Sequence, residues 1–236
     1  MEAVKPTNQK IHIVHTGPLG VNTLVVALNE RYAFVVDPAA CDFCGDTHAV
    51  TRVLSSLGLD CVACVLTHGH FDHVAGLSHL KKCFPNMCIA IHENDSMYLG
   101  QDSSTQKQSL TYIGFADFYE AVKDLPAADC YLKADKTLSD CLSKECIAPV
   151  KNELAKWTVL HTPGHTQGSV CLYNKADRLL ISGDTVFYGS WGRTDLPGGN
   201  EAQIQKSLRR IYHDVESETR VYPGHDECGF VLAQNV

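Results

Sequence analysis

A chain of 236 residues, 44% hydrophobic and 20% charged, has the makeup of an ordinary globular protein and excludes disorder or a collagen-like repeat. With 20 Lys and Arg against 27 Asp and Glu the net charge is −7, which argues against an extended nucleic-acid surface. No apolar run is long enough to span a membrane, and the polar start MEAVKPTNQK has no secretory apolar stretch, so a cytoplasmic location is expected.

In chain order, Val21–Leu28 and Ala33–Val36 read as strands joined by a polar turn at Asn29–Arg31, a hairpin. His48–Leu57 places Val50, Val53, Leu54 and Leu57 on one helical face, and Gly58 stops it. Cys61–Leu66 is the next strand and runs straight into a His-rich loop. A helix over Val74–Lys82 and a strand over Met87–Ile91 follow. Residues 94–130 mix helix and loop signals, the composition expected of a lid or insertion in an otherwise single domain over 1–236.

The second half repeats one local design. Trp157–Leu160 leads to Thr162–Pro163–Gly164–His165, Leu179–Ile181 to Ser182–Gly183–Asp184, and Arg220–Tyr222 to Pro223–Gly224–His225. Each apolar run ends in glycine, which frees the chain to turn and project the next side chain into a shared cleft. A helix over Glu201–Tyr212, with Ile204, Leu208 and Ile211 on one face, separates the last two strands. Strands and helices mixed in this way predict a layered α/β sandwich.

The 11 cysteines, an odd number, read as free thiols of a reducing compartment. Cys41-x2-Cys44 and Cys61-x2-Cys64 imitate the spacing of a zinc ribbon. A buried strand over Cys61–Leu66 would point residues three apart to opposite faces, so small buried hydrophobes are the reading preferred.

The strongest chemical signal is Thr67–His68–Gly69–His70–Phe71–Asp72–His73. Three imidazoles and a carboxylate in six residues have little structural rationale, because clustered polar groups are costly unless paired. Together they are ligands for zinc, iron or manganese. His68 and His70 reach one ion, while Asp72 and His73, displaced around the turn, reach another. His165, Asp184 and His225 at the glycine-terminated strand ends supply the rest, and the carboxylate of Asp184 suits a bridge. The other histidines default to surface or core. His161 is allowed a supporting role, and Asp37, at a strand end, is a candidate to orient a ligand by hydrogen bond.

These motifs, from the first hairpin to Gly224–His225, resemble the metallo-β-lactamase fold superfamily. The resemblance implies a four-layer αββα sandwich with metals at one edge between two sheets. It also implies that His68, His70 and His165 hold a first metal, that Asp72, His73 and His225 hold a second, and that Asp184 bridges. Asp rather than Cys at the end of Ser182–Gly183–Asp184 separates the chain from cysteine-ligand β-lactamases, and His70 separates it from flavodiiron proteins. The run from Ser182 to Gly199, with Gly192–Arg193–Thr194–Asp195, looks like the small bacterial hydroxyacylglutathione hydrolases of glyoxalase II type, and nearly as much like the sulfur dioxygenases of that branch.

The function expected is that of a metal-dependent hydrolase cleaving a small-molecule thioester. A hydroxide bridging two divalent ions, zinc foremost, would attack the carbonyl, and Asp72 would orient it and accept its proton. Arg193, by the resemblance, contacts the glutathione part of the substrate; its other reading is an ion pair with Asp195. A mononuclear iron sulfur dioxygenase is the enzymatic alternative, and an inactive binding module the alternative from another class. Only 11 residues follow His225, and Asp226–Glu227 stand where such hydrolases place a tyrosine, so the preference expected for glutathione is weak.

Overall fold

The computed structural model describes residues 10–235. Two sheets face each other. The first has six strands in sequence order: β1 (Ile11–Thr16), β2 (Val21–Ala27), β3 (Tyr32–Val36), β4 (Asp60–Val65), β5 (Cys88–His92) and β6 (Cys130–Leu132). The pairings from β1 to β3 are antiparallel, and those from β3 to β6 are parallel. The second sheet is built from β7 (Trp157–His161), β8 (Val170–Asn174) and β9 (Leu179–Gly183). After the small hairpin β10 (Val186–Phe187) and β11 (Ser190–Trp191), it is completed by β12 (Arg220–Pro223) and β13 (Phe230–Val231).

Helices α1 (Ala49–Leu57), α2 (Phe71–Val74), α3 (Leu77–Cys83), α4 (Ser104–Tyr112) and α5 (Tyr119–Val122) lie on the outer side of the first sheet. The short turns α6 (Leu138–Cys141), α7 (Lys144–Ile147) and α8 (Lys151–Leu154) bury Leu138, Ile147 and Leu154 between the sheets. Helix α9 (Glu201–Asp214) covers the second sheet from outside. The order helix, sheet, sheet, helix is the αββα sandwich expected.

Three apolar layers hold it, and side-chain alternation decides which layer each residue joins. On β3, Ala33 and Val35 face the outer helices while Phe34 and Val36 face the second sheet, so the strand reads as continuously apolar. On α9, Ile204, Leu208 and Ile211 recur at helical spacing and are buried, and the Asn200 side chain caps the first turn by accepting from Gln203 N. Helix α1 buries Val50 and Leu54 and ends at Gly58, whose φ of 67° gives the left-handed cap.

Three sequence readings change. The helix expected over Val74–Lys82 is two, α2 and α3. They break at Gly76, where a Cβ would lie 2.6 Å from Ala40 O, because this point packs against the Pro38–Ala40 loop. Strands β1, β6, β8, β10, β11 and β13 had no counterpart in the sequence reading. Cys61 and Cys64 do not face opposite sides, because β4 shifts register between Cys61 and Ala63 and both thiols join the outer layer. Among the described residues they still gather no metal group with Cys41 and Cys44, which cluster instead with Asp46.

Strands β7, β9 and β12 run in one direction, and β3, β4 and β5 are parallel to one another. The loops that follow these strands meet at one edge of the sandwich. Asn22 on β2 stitches the two sheets there, with its backbone N–H donating to Gly224 O at 2.7 Å and its side chain to Pro223 O and Asp226 O. Val170 N donates to Thr67 O across the same edge.

Candidate metal centre

The loop after β4 delivers His68 and His70, and the turn into α2 delivers Asp72 and His73. Their partners His165, Asp184 and His225 come from the loops after β7, β9 and β12. The structure brings all seven together. One nitrogen each from His68, His70 and His165 lie within 4.8 Å of one another, and so do donor atoms of Asp72, His73 and His225. Asp184 stands between the two groups: Oδ2 is 3.4 Å from His165 Nε2, and Oδ1 is 3.4 Å from His73 Nε2. His73 Nε2 and His225 Nε2 approach to 3.2 Å, and Asp72 Oδ2 lies 3.3 Å from His225 Nε2.

The fit to cations is written in the unpartnered atoms. His68 Nε2, His70 Nε2, His165 Nε2 and Asp184 Oδ1 are buried and have no hydrogen-bond partner among the described residues. Three orphaned imidazoles gathered within 4.8 Å of one another, with the Asp184 carboxylate beside them, would be costly unless a cation satisfies them.

Hydrogen bonds fix the ring orientations. His165 Nδ1–H donates to the carbonyl of Arg193 at 2.7 Å, which leaves Nε2 facing inward. Asp37 follows β3 with φ at 50° and is buried; its Oδ1 accepts from Thr67 N at 2.8 Å, and its Oδ2 accepts from Thr67 Oγ1 at 2.6 Å. The same Oδ2 lies 2.9 Å from His73 Nδ1. The orienting role read for Asp37 matches this geometry. His161 does not join the group: its Nε2 bonds the Gln167 carbonyl and its ring stacks on His92 at 4.1 Å.

Sequence reading missed Asp95. It is buried after β5 and accepts from Gly69 N at 3.0 Å, Gly168 N at 2.7 Å and Thr166 Oγ1 at 2.7 Å. One carboxylate thus clamps the His68–His70 loop to the His165 loop. Its place shortly past a strand end was a signal that Glu93 shares, so the sequence does not single Asp95 out. Gln106 adds a second brace, with its amide donating to Gly69 O at 2.8 Å.

The glycines are needed for space as much as for backbone freedom. A Cβ on Gly224 would lie 2.3 Å from Asp184 Oδ1 and 2.6 Å from His73 Cε1, and one on Gly192 would collide with Asp184 O. Gly183 has a φ of 48° and packs on Thr67.

Electrostatically the two groups differ. Burial, with the neighbouring His73 ring next, pushes His68 well below the usual imidazole range; burial and then His165 push His70 down to about 3. Around His73 burial works the same way, but Asp184, Asp72 and Asp37 outweigh it and raise the ring well above that range. His225 is likewise raised against burial, by Asp72 and Asp184. Burial alone would raise Asp184, but His73, His165 and His68 hold it well below the carboxylate range.

A cavity of about 770 Å³ opens onto the cluster. Arg193 lines it, with Nε and Nη2 each donating at 2.7 Å to the two carboxylate oxygens of Asp195. Ile113, Gly114 and Phe115, from the segment between α4 and α5, line another wall.

A family model described as the Metallo-beta-lactamase superfamily matches residues 16–225. A Bacillus subtilis protein named Probable metallo-hydrolase YqgX is 30% identical over 218 residues, covering 92% of this chain and 90% of that one. The Haemophilus influenzae Hydroxyacylglutathione hydrolase GloC is 25% identical over 215 residues, 91% of this chain and 90% of that one. A solved structure, TTHA1623 in a di-iron-bound form, superposes with a TM-score of 0.74 at 27% identity, covering 94% of this chain and 96% of that chain. With its αββα sandwich and a histidine cluster that fits divalent cations at the edge between the sheets, the chain belongs to the metallo-β-lactamase superfamily of metallo-hydrolases.

Proposed function

We propose that the chain is a binuclear, metal-dependent thioester hydrolase of the hydroxyacylglutathione hydrolase kind. The observation that carries the reading is the pair of three-donor groups flanking one carboxylate at the floor of an open cavity. His68, His70 and His165 would hold one ion, and Asp72, His73 and His225 the other, with Asp184 shared. When bound, such a metal pair lowers the pKa of water toward ~7 and polarises a substrate carbonyl. The similarity to the Haemophilus hydroxyacylglutathione hydrolase supports a thioester over other acyl substrates.

The chain's own groups then have defined tasks. Asp72, on the cavity floor, accepts the proton of the attacking water. Asp37 holds His73, and the Arg193 carbonyl holds His165, so substituting the Arg193 side chain leaves that orienting bond in place. Ile113 and Phe115, from the segment 94–130, form one wall of the cavity and limit water at the reacting carbonyl. Arg193 lines the cavity rim, within reach of a thiol carrier, but Asp195 already occupies one edge of its guanidinium. A carboxylate on the carrier, such as that of glutathione, would have to share it, so on glutathione thioesters Arg193→Ala should cost less than the ~1.5–3 kcal/mol of a free charge-assisted bond.

The test is to load the protein with zinc, iron or manganese and follow thiol release from S-lactoylglutathione beside oxygen uptake with glutathione persulfide. Thiol release without oxygen uptake is expected. Oxygen uptake supported by one iron per chain, without thioester cleavage, would replace the reading with a sulfur dioxygenase.

A further inference from the structure

The cavity's upper walls are apolar although they stand in water. Leu19, Ile113 and Trp191 are 56%, 36% and 47% exposed, and Phe115 and Leu196 join them around the same opening. Scattered apolar side chains on a surface are ordinary, but these converge from three separate places on one mouth. Leu19 comes from the β1–β2 turn, Ile113 and Phe115 from the end of α4 and just beyond, and Trp191 from β11. The wall is also braced. Phe115 stacks on Phe118 at 5.2 Å and meets Phe71 edge-on at 5.8 Å, so part of its ordering is complete before any ligand arrives.

The charges around the mouth point the same way. Among the described residues, those lining the cavity above the metal-facing groups carry two charged side chains, Asp226 and Arg193. Asp195 spans the Arg193 guanidinium with two bonds, so this one rim cation is already paired. An anionic substrate arm therefore meets an acid and a neutralised cation, while an uncharged apolar arm meets Leu19, Trp191 and Leu196.

We infer that Leu19, Ile113, Phe115, Trp191 and Leu196 form an acyl-binding subsite, and that the preferred thioesters carry medium-length, uncharged acyl chains on a neutral thiol arm. The inference rests on the thioester reading for its chemistry, but the subsite itself is testable without turnover. Burying each CH2 on such a wall should raise kcat/KM by about two- to four-fold.

The experiment takes the metal-loaded protein and measures hydrolysis of acetyl, butyryl, hexanoyl and octanoyl thioesters of N-acetylcysteamine, beside the lactoyl and octanoyl thioesters of glutathione. Non-hydrolysable S-methyl and S-octyl thioethers of N-acetylcysteamine are titrated against tryptophan fluorescence. The chain has two tryptophans, and Trp157 is buried in the core, so the response reports Trp191. Expected are a kcat/KM that climbs with chain length, at least equal rates on the neutral carrier, and tighter binding of the octyl thioether than of the methyl one. Trp191→Ala and Leu19→Ala should flatten the chain-length slope, an effect that mere loosening of the fold would not produce selectively. Lactoylglutathione as best substrate, with rates falling along the acyl series, would overturn the inference and leave the hydrolase reading standing. Tight octyl binding with no thioester cleaved would sink the hydrolase reading and support the subsite. Equal binding of octyl and methyl thioethers would overturn the subsite whatever the turnover.

Discussion

Asp184 and Asp37 are both buried carboxylates beside His73, yet they do different things. Asp184 directs an oxygen at each of the two donor groups, whereas both oxygens of Asp37 are occupied by Thr67 and by the far nitrogen of His73. Asp184→Ala should therefore abolish measurable turnover and lower bound metal, while Asp37→Ala should cost about 10–100-fold, the usual effect of losing a ligand's support. Metal content and kcat measured on both proteins check this; near-normal turnover of Asp184→Ala with full metal would contradict the bridging role. The pKa directions give a second expectation. In the metal-free protein His68 and His70 are held low and stay neutral in mild acid, so protons compete weakly for them. The rings of His73 and His225 are held above the ordinary imidazole range, chiefly by the carboxylates of Asp184 and Asp72, so protons compete with a cation more strongly there than at His68 and His70. Binding at the Asp72–His73–His225 group should weaken as pH falls, and that group should empty first. Metal content after dialysis at pH about 7.5 and about 5.5 tests it, the lower value lying below the ordinary imidazole pKa. Loss of both ions together would contradict the difference between the groups.

At the scale of elements, three strand ends carry the design, and these were the most legible part of the sequence. Short apolar runs followed by glycine and then His165, Asp184 or His225 gave β7, β9, β12 and their projecting side chains. The amphipathic faces of α1 and α9 were equally readable, because burial on one face repeats at the helical period. What escaped was set by contacts distant in sequence. The break between α2 and α3 comes from the Pro38–Ala40 loop pressing on Gly76, and the shared orientation of Cys61 and Cys64 comes from a register shift against β3. Asp95 could be chosen among the acids of an irregular stretch only once Gly69 and Gly168 were seen to donate to it. The glycine reading itself needed refinement, because Gly224 is constrained by closeness rather than by its backbone angle. Gly224→Ala places a methyl against Asp184 and His73, so activity should fall by at least ~10–100-fold, through displaced ligands rather than a lost strand. Kinetics beside thermal melting test this; an unchanged kcat would show that the loop moves aside freely.

The whole molecule is a device for bringing two sheets to a common edge. Neither sheet holds a complete donor group: His68, His70, Asp72 and His73 follow a strand of the first, and His165, Asp184 and His225 follow strands of the second. The buried layer between them, with Phe34 and Trp157 edge-to-face at 5.4 Å, fixes the spacing, and Asn22 and Val170 tie the two sides at the rim. Metal binding should accordingly be cooperative with sheet packing, since a cation joins loops from both halves. The central claim, that seven side chains hold two ions for one reaction, is tested most directly by titrating metal-free protein with zinc while following thioester hydrolysis. Activity is predicted to keep rising until about two equivalents per chain are bound, as two-ion clamps require. Full activity at one equivalent, unchanged by the second, would contradict it.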